Sequence, residues 1–284
     1  MSKLSGKIDF TVFVSVKNAN PNGDPLDGNR PRTDNEGYGE ISDVCIKRKI
    51  RNRFQDLGEK VFVQSDDRSD DGCKSLKDRA DSCAALKKEI DKKKNADRDL
   101  CAKIACEEWI DVRSFGQVFA FKGVEVSLGV RGPVSIHQAV SLSPVDVMSM
   151  QITKSVNGEA GKESKASDTM GMKHRIGFGV YKIMGSVNVQ LAEKTGFSQE
   201  DAAVLKEALK TLFENDASSA RPEGSIEVSR LYWWQHKEKT PAVSSGKIQR
   251  GFTIKAVNQP KSFEDYQISW YVDGCAEPEV YEFV

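Results

Sequence analysis

Apolar and polar residues alternate at the start of the chain. Ile8, Phe10, Val12, Val14 and Val16 are interleaved with Lys7, Asp9, Thr11, Ser15 and Lys17. That period of two predicts a half-buried strand. The strand runs into Asn18-Ala19-Asn20-Pro21-Asn22-Gly23-Asp24-Pro25, a run of turn formers that cannot continue it. A second polar loop ends at Ser42, an N-cap residue, with Asp43 in the first helical turn. Ile46, Ile50, Phe54 and Leu57 then fall on one helical face. Lys47, Arg48 and Arg51 fall on a flank of that face. A strand, an Asn/Gly loop and a helix armed with cations make a cradle suited to a phosphate backbone.

Further along, Lys60 to Gln64 reads as a short strand. From Asp66 to Asp99 the chain is mostly charge of both signs, with a polar helix over Ser82 to Ile90. This pattern predicts a mobile surface insertion with solvated lysines. Val118 to Phe121 is strand-like, and Val130 to His137 is extended around a Gly132-Pro133 break. Val145, Val147 and Ile152, with Met148 and Met150, predict another strand. Phe178 to Leu191 reads as strand too. Between these, Lys154 to Arg175 holds Gly158, Gly161 and Gly171 and five cations, with only Met170 and Met172 as large apolar residues near its far end. A stretch of about 20 residues without a core signal is either a functional arm or a tolerated surface loop.

Ser198 to Asp201 opens a helix with Leu205, Leu209, Leu212 and Phe213 as its buried stripe. Strands follow at Ile226 to Trp234, Phe252 to Ala256 and Ile268 to Val272. The tail is acidic. This order predicts an α+β fold of the ferredoxin or RNA-recognition type with large insertions. Arg175-Ile176-Gly177-Phe178-Gly179-Val180-Tyr181 faintly echoes the RNA-recognition consensus, with the spacing off by one.

Across 284 residues Lys plus Arg equals Asp plus Glu, so net charge is zero and any nucleic-acid binding needs a local patch. The mean hydropathy of −0.50 suits a well-solvated surface. No apolar run approaches the ~18 residues of a membrane span. The N-terminus has no apolar h-region, so the expected location is cytoplasmic. Six cysteines lack C-x-x-C spacing and three histidines are scattered, so reduced thiols are expected and no metal or cofactor site.

Several of these segments together resemble a known family. They are the Asn18 to Pro25 loop, the Asp34 to Arg51 loop and helix, Val130 to Ile136, the glycine-rich arm before Val180, and Leu231-Tyr232-Trp233-Trp234. The chain resembles the Cas-seven backbone subunit of type I CRISPR surveillance complexes (Cascade), most closely the type I-C, Csd-type form. The resemblance implies a modified RRM/ferredoxin-like palm over 1–284, with a helical finger insertion at 60–112 and a protruding thumb hairpin at 150–177. It implies copies stacked head to tail along guide crRNA, with target DNA pairing to the exposed guide. Other Cascade subunits would cap the ends, and a recruited helicase-nuclease would destroy the DNA. The RNA-binding residues it implies are Asn20, Ser42, Lys47, Arg48, Arg51, Met170, Met172, Lys173 and His174. The methionines would wedge beside a displaced base.

Two other classes compete. Related subunits of type III complexes cut RNA with a loop aspartate, and Asp34 sits in the corresponding loop; a lone aspartate in a charged loop is more often solvated. His137, His174 and His236 lack the spacing of an acid–base site. A nucleotide-cofactor enzyme lacks its P-loop or G-x-G-x-x-G here. The expectation is therefore a non-enzymatic RNA-binding scaffold without cofactor.

Overall fold

The computed structural model describes residues 2–69, 71–121, 127–153 and 170–283. In chain order come strand β1 (Ile8–Ala19), the short pair β2 (Gly23–Asp24) and β3 (Arg30–Pro31), β4 (Tyr38–Ile41) and helix α1 (Asp43–Asp56). Helices α2 (Leu76–Ser82), α3 (Ala84–Ile90), α4 (Arg98–Glu108) and α5 (Ile110–Phe115) follow. Next are β5 (Gly116–Phe119), β6 (Leu128–Arg131), β7 (Val134–Ile136), β8 (Ala139–Pro144), β9 (Val147–Thr153) and β10 (Met170–Val187). The chain closes with α6 (Val189–Thr195), α7 (Gln199–Lys210), β11 (Ile226–Gln235), α8 (Ser245–Arg250), β12 (Phe252–Ala256), β13 (Tyr266–Trp270) and β14 (Glu279–Glu282).

Six of these elements make the centre. β1, α1, β7, β10, α7 and β11 form a βαββαβ unit with strand order β11-β1-β10-β7, every neighbouring pair antiparallel. That is the ferredoxin or RNA-recognition topology, so the fold is α+β as expected. β8 shares the outer edge of β10, and β4 pairs with β8. The acidic tail contributes β14 to the opposite edge, against β11, where Glu279 meets Lys206 at 2.8 Å and Glu282 meets Arg230 at 2.9 Å.

The sheet is covered on both faces. Ile8, Phe10, Val12, Val14 and Val16 pack with Ile46, Ile50 and Phe54 of α1 and with Leu205 and Leu209 of α7. Each such fully buried side chain contributes about 1.5–3 kcal/mol. Ser198 caps α7 through a capping box with Asp201. On the other face Phe13, Val180, Tyr232 and Trp234 pack with Val243, Ile248, Phe263, Tyr266 and Val272. β1 is therefore buried on both sides along most of its length, not half-buried. Its polar residues persist inside because they are hydrogen-bonded: the Ser15 and Ser229 hydroxyls lie 2.6 Å apart, and Thr11 Oγ1 donates to Gln249 Oε1 at 2.6 Å.

The stretch expected to be a solvated, mobile insertion, 66–99, contributes Ala80, Leu86 and Ile90 to an apolar core that its flanking segments complete. Phe62, Leu86, Ile90, Cys101, Ala105, Trp109 and Phe119 are buried together. Lys60 to Gln64 is not a strand but a connector. The Ser82 to Ile90 helix is broken at Cys83 into the end of α2 and α3. Leu191, read as the end of a strand, lies in α6, because Asn188 Oδ1 accepts from Leu191 N at 2.8 Å and caps a helix there. All six cysteines are free. Burial pushes the Cys106 thiol up to about 11, so it stays protonated at neutral pH and suits packing rather than metal ligation.

Lys182 on β10 is the odd group of the second face. Its Nζ donates to the Gln249 carbonyl at 2.9 Å and lies 4.4 Å from the Phe252 ring centre. Burial lowers its pKa from 10.5 to about 8. Between these two values the unfolded chain holds a proton that the folded chain has released, so this group's contribution to stability grows as pH rises from about 8 towards 10.5. Denaturation of wild type and Lys182→Met should show the difference moving in favour of wild type between pH 7 and 10. A pH-independent difference would contradict this.

Candidate nucleic-acid interface

The turn leaving β1 is an internal lock. Asn18 adopts φ +53°, a conformation asparagine tolerates, and kinks the end of β1, which still pairs at Ala19 with Ile176. Asn20 is buried; its Nδ2 donates to the Asn29 carbonyl at 2.7 Å and its Oδ1 has no partner among the described residues. Asn22 Oδ1 accepts from both Ser42 N and Ser42 Oγ at 2.9 Å. Ser42 Oγ in turn accepts from Cys45 N at 3.3 Å and caps α1. Gly23 permits this closure, since a Cβ there would lie 1.9 Å from Asn29 Oδ1. Asn20 and Ser42 are thus brought to one loop cluster through Asn22.

The cations of α1 all have partners. Lys47 pairs with Asp43 at 3.0 Å, one turn back. Lys49 reaches Asp216, and Arg53 reaches Asp56 at 2.7 Å and Thr211 Oγ1 at 3.0 Å. Arg48 Nη1 donates to the Val63 carbonyl at 2.7 Å. Arg51 Nε donates to Asp111 Oδ2 at 2.8 Å and lies 5.1 Å from the Phe115 ring centre. Asp111 is buried and also accepts from Phe62 N at 2.7 Å and Val63 N at 3.0 Å. These contacts tie the helical lobe to the palm.

Arg48 and Arg51 lie close together, with Asp111 and Asp67 beside them. Burial, and after it the charge of Arg51, pull the Arg48 pKa down, while Asp111 and Asp67 oppose this. A desolvated cation of this kind gains from an arriving anion. Of the three expected contacts on the helix, Lys47, whose partner Asp43 lies on its own helix, is the least committed to the fold.

β9 and the first part of β10 form a two-stranded ribbon. β9 pairs with residues 170–176 of β10, of which 170–175 run beyond the last β1 pair, Ala19 with Ile176. Its distal part, 154–169, lies outside the described residues. Directly opposite residues share a face, so Met170, Met172 and His174 lie on one side with Ser149 and Gln151. Both methionines are more than half exposed. His174 Nδ1 is 2.9 Å from Ser149 Oγ. Lys173 is exposed on the opposite side, beside Met148, Met150 and Ile152, with Arg175 nearer the root. That second apolar row was legible as Met-Ser-Met-Gln-Ile, a strict alternation, but it reads as an ordinary strand until its exposure is known. Arg30 bridges the two parts of the site, its Nη1 donating to Ser149 Oγ at 3.1 Å. Nothing in the local pattern around Arg30 signals that role.

Asp34, the candidate for RNA cleavage, holds a turn. Its Oδ1 accepts from Glu36 N and Tyr38 N, both at 2.9 Å. Among the described residues no group of three His, Cys, Asp or Glu is placed to hold a metal ion. His236 Nε2 is 2.9 Å from the buried Asp9 Oδ2, far along the strand from the arm. No helix among the described residues is long and apolar enough to cross a membrane.

A βαββαβ palm with a helical lobe and a projecting two-stranded ribbon defines an α+β protein of ferredoxin or RNA-recognition topology. Residues 6–271 match the family model of CRISPR-associated protein Cas7, and the chain belongs to that family. It is 28% identical over 240 residues to a CRISPR-associated protein Cas7 of Haloferax volcanii, a match that spans 78% of this chain and 68% of the relative. Two solved chains, from a CRISPR RNA-guided surveillance complex in a pre-nicking state and from another such complex, are similar at 16% identity. They have TM-scores of 0.49 and 0.43, cover 80% of this chain, and are themselves covered over 77% and 68%.

Removing the Asp111 carboxylate strands Arg51 and two backbone donors. Asp111→Ala should lower unfolding free energy by about 3–5 kcal/mol, read from urea denaturation. Unchanged stability would show that the lobe is held without this lock.

Proposed function

We propose that this chain is a non-catalytic backbone subunit of a CRISPR RNA-guided surveillance complex of the type I-C form. Copies of it stack head to tail along guide crRNA and present the guide for pairing with target DNA. The observation that carries this reading is the family match across almost the whole chain, 6–271. The projecting ribbon and the adjoining guanidiniums of Arg48 and Arg51 support it, because both suit contacts to a backbone without sequence preference. Sequence is then read by base pairing.

In this reading the 60–112 lobe serves as fingers and 150–177 as the thumb. Lys47, Arg48 and Arg51 face guide phosphates, with Asn20 and Ser42 shaping the loop beside them. Met170, Met172, Lys173 and His174 act from the arm, the methionines against a displaced base. Head-to-tail contacts are heterologous and propagate as an open helix, so RNA length and capping subunits set the copy number. A separate helicase-nuclease supplies the cleavage, and the assembly works in the cytoplasm. The turn-holding role of Asp34 supports a subunit that does not cut.

Co-expression with a CRISPR array and partner subunits should yield a large particle whose mass scales with a discrete short RNA. Lys47→Glu combined with Lys173→Glu should give a folded monomer without RNA, since neither lysine is buried. Normal RNA-loaded particles from this double variant would remove these residues from the interface. A chain that stays monomeric with guide and partners present would overturn the whole reading.

A further inference from the structure

The face of the palm sheet opposite α1 and α7 carries a recess that the guide contacts above do not use. We propose that it holds one unpaired nucleotide of a single strand, with the base stacked on Phe178. The site lies across the sheet from α1, so it goes beyond the proposed guide-binding surface.

The first support is position. β10 is the third strand of the βαββαβ unit, the strand whose aromatic side chains stack bases in RNA-recognition folds. The segment Arg175 to Tyr181, which echoes that consensus, lies on it. The one-residue offset has a structural cause. Ile176 is buried in the helix-side core, and β1 opposite Gly177 is turned by Asn18 at φ +53°. Past this kink Phe178 packs with the apolar cluster of the face opposite α1 and α7 and remains partly exposed.

The second support is a cleft of about 670 Å³ built around that ring. Such a volume is in the range of small-molecule sites. Phe178 and Lys17, directly opposite one another on β10 and β1, contribute to its lining. The loop Asn258 to Lys261 and the ring of Tyr266 line it from the C-terminal part of the chain. The Tyr266 hydroxyl is engaged with Ser143 Oγ at 3.1 Å, so it forms a wall.

The third support is chemistry suited to a nucleotide. Lys17 and Lys261 are exposed and make no ion pair among the described residues, and they suit the flanking phosphates. Asn258 and Gln259 offer amides to a base edge; Gln259 is held at φ +55°. Asp146 repels phosphate but accepts from an exocyclic amine, which orients the base towards it and the phosphates towards the lysines. The Asp146 carbonyl accepts from Gly177 N at 3.3 Å at the root of the arm, so a strand leaving the arm passes the mouth of the cleft.

Fluorescence anisotropy of the purified full chain with labelled five-nucleotide RNA and DNA tests this directly. Phe178→Leu should weaken binding by about 5- to 100-fold, the usual loss for one stacked base, whereas Phe178→Tyr should restore it. Lys17→Gln with Lys261→Gln, both on the surface, should reduce the salt dependence of log K by about 1 to 2. Comparing RNA with DNA identifies which strand enters. Repeated in the Lys47→Glu, Lys173→Glu background, which removes the proposed guide contacts, the residual short-oligonucleotide binding should still fall on Phe178→Leu, so failure of the guide-binding reading and failure of this one give different results. No binding of either oligonucleotide, or equal binding by wild type and Phe178→Leu, overturns the proposal.

Discussion

One buried carboxylate holds the two halves of this molecule together. Asp111 accepts from the Arg51 side chain and from the backbone of Phe62 and Val63, so α1, the connector after it and α5 meet at one point. Two residues on, Arg113 donates to Asp201 Oδ1 at 2.8 and 3.0 Å, while Asp201 also closes the cap of α7. The short helix α5 thus fastens the lobe to both helices of the palm. Charge buried in this way is costly unless fully hydrogen-bonded, and here nearly every polar atom has its partner.

The same constraint reshapes how the basic helix is understood. Its cations are not an open row of charge awaiting phosphate. Lys49 and Arg53 brace α1 against the loop after α7, and Arg48 and Arg51 brace it against the lobe. Any binding role for them has to coexist with this structural one. A neutral chain reaches a local positive surface by sharing anions unevenly rather than by carrying more cations.

Much of the palm was legible. The alternation in β1, the cap at Ser42, the capping box at Ser198 and the stripe through Leu205 and Leu209 are local signals and produced the expected elements. What escaped was long-range. The lobe's core is assembled from sparse apolar and small residues, among them Cys101, Ala105 and Cys106, scattered through charge, so its periodicity is masked. The interior face of β1 looked polar because its hydroxyls and carboxylate find partners more than 200 residues away, Ser229 among them. α6 looked like strand because Val189 and Leu191 continue an apolar run, and only the Asn188 cap settles the matter. For the site, the cations and methionines were visible as residues. Their partners, such as Asp216 for Lys49, are set by tertiary packing and leave no local trace.

β10 is a single 18-residue strand shared between palm and arm. Residues 170–175 run past the last pair with β1, a reach of about 20 Å at the usual rise per residue. No hinge interrupts that length within the described strand, and sliding it by one residue would turn every buried side chain outward. The strand therefore works as a ruler. In a stack of identical chains, a spacing set this way would be a property of backbone geometry, the same at every step and indifferent to the bases lying between.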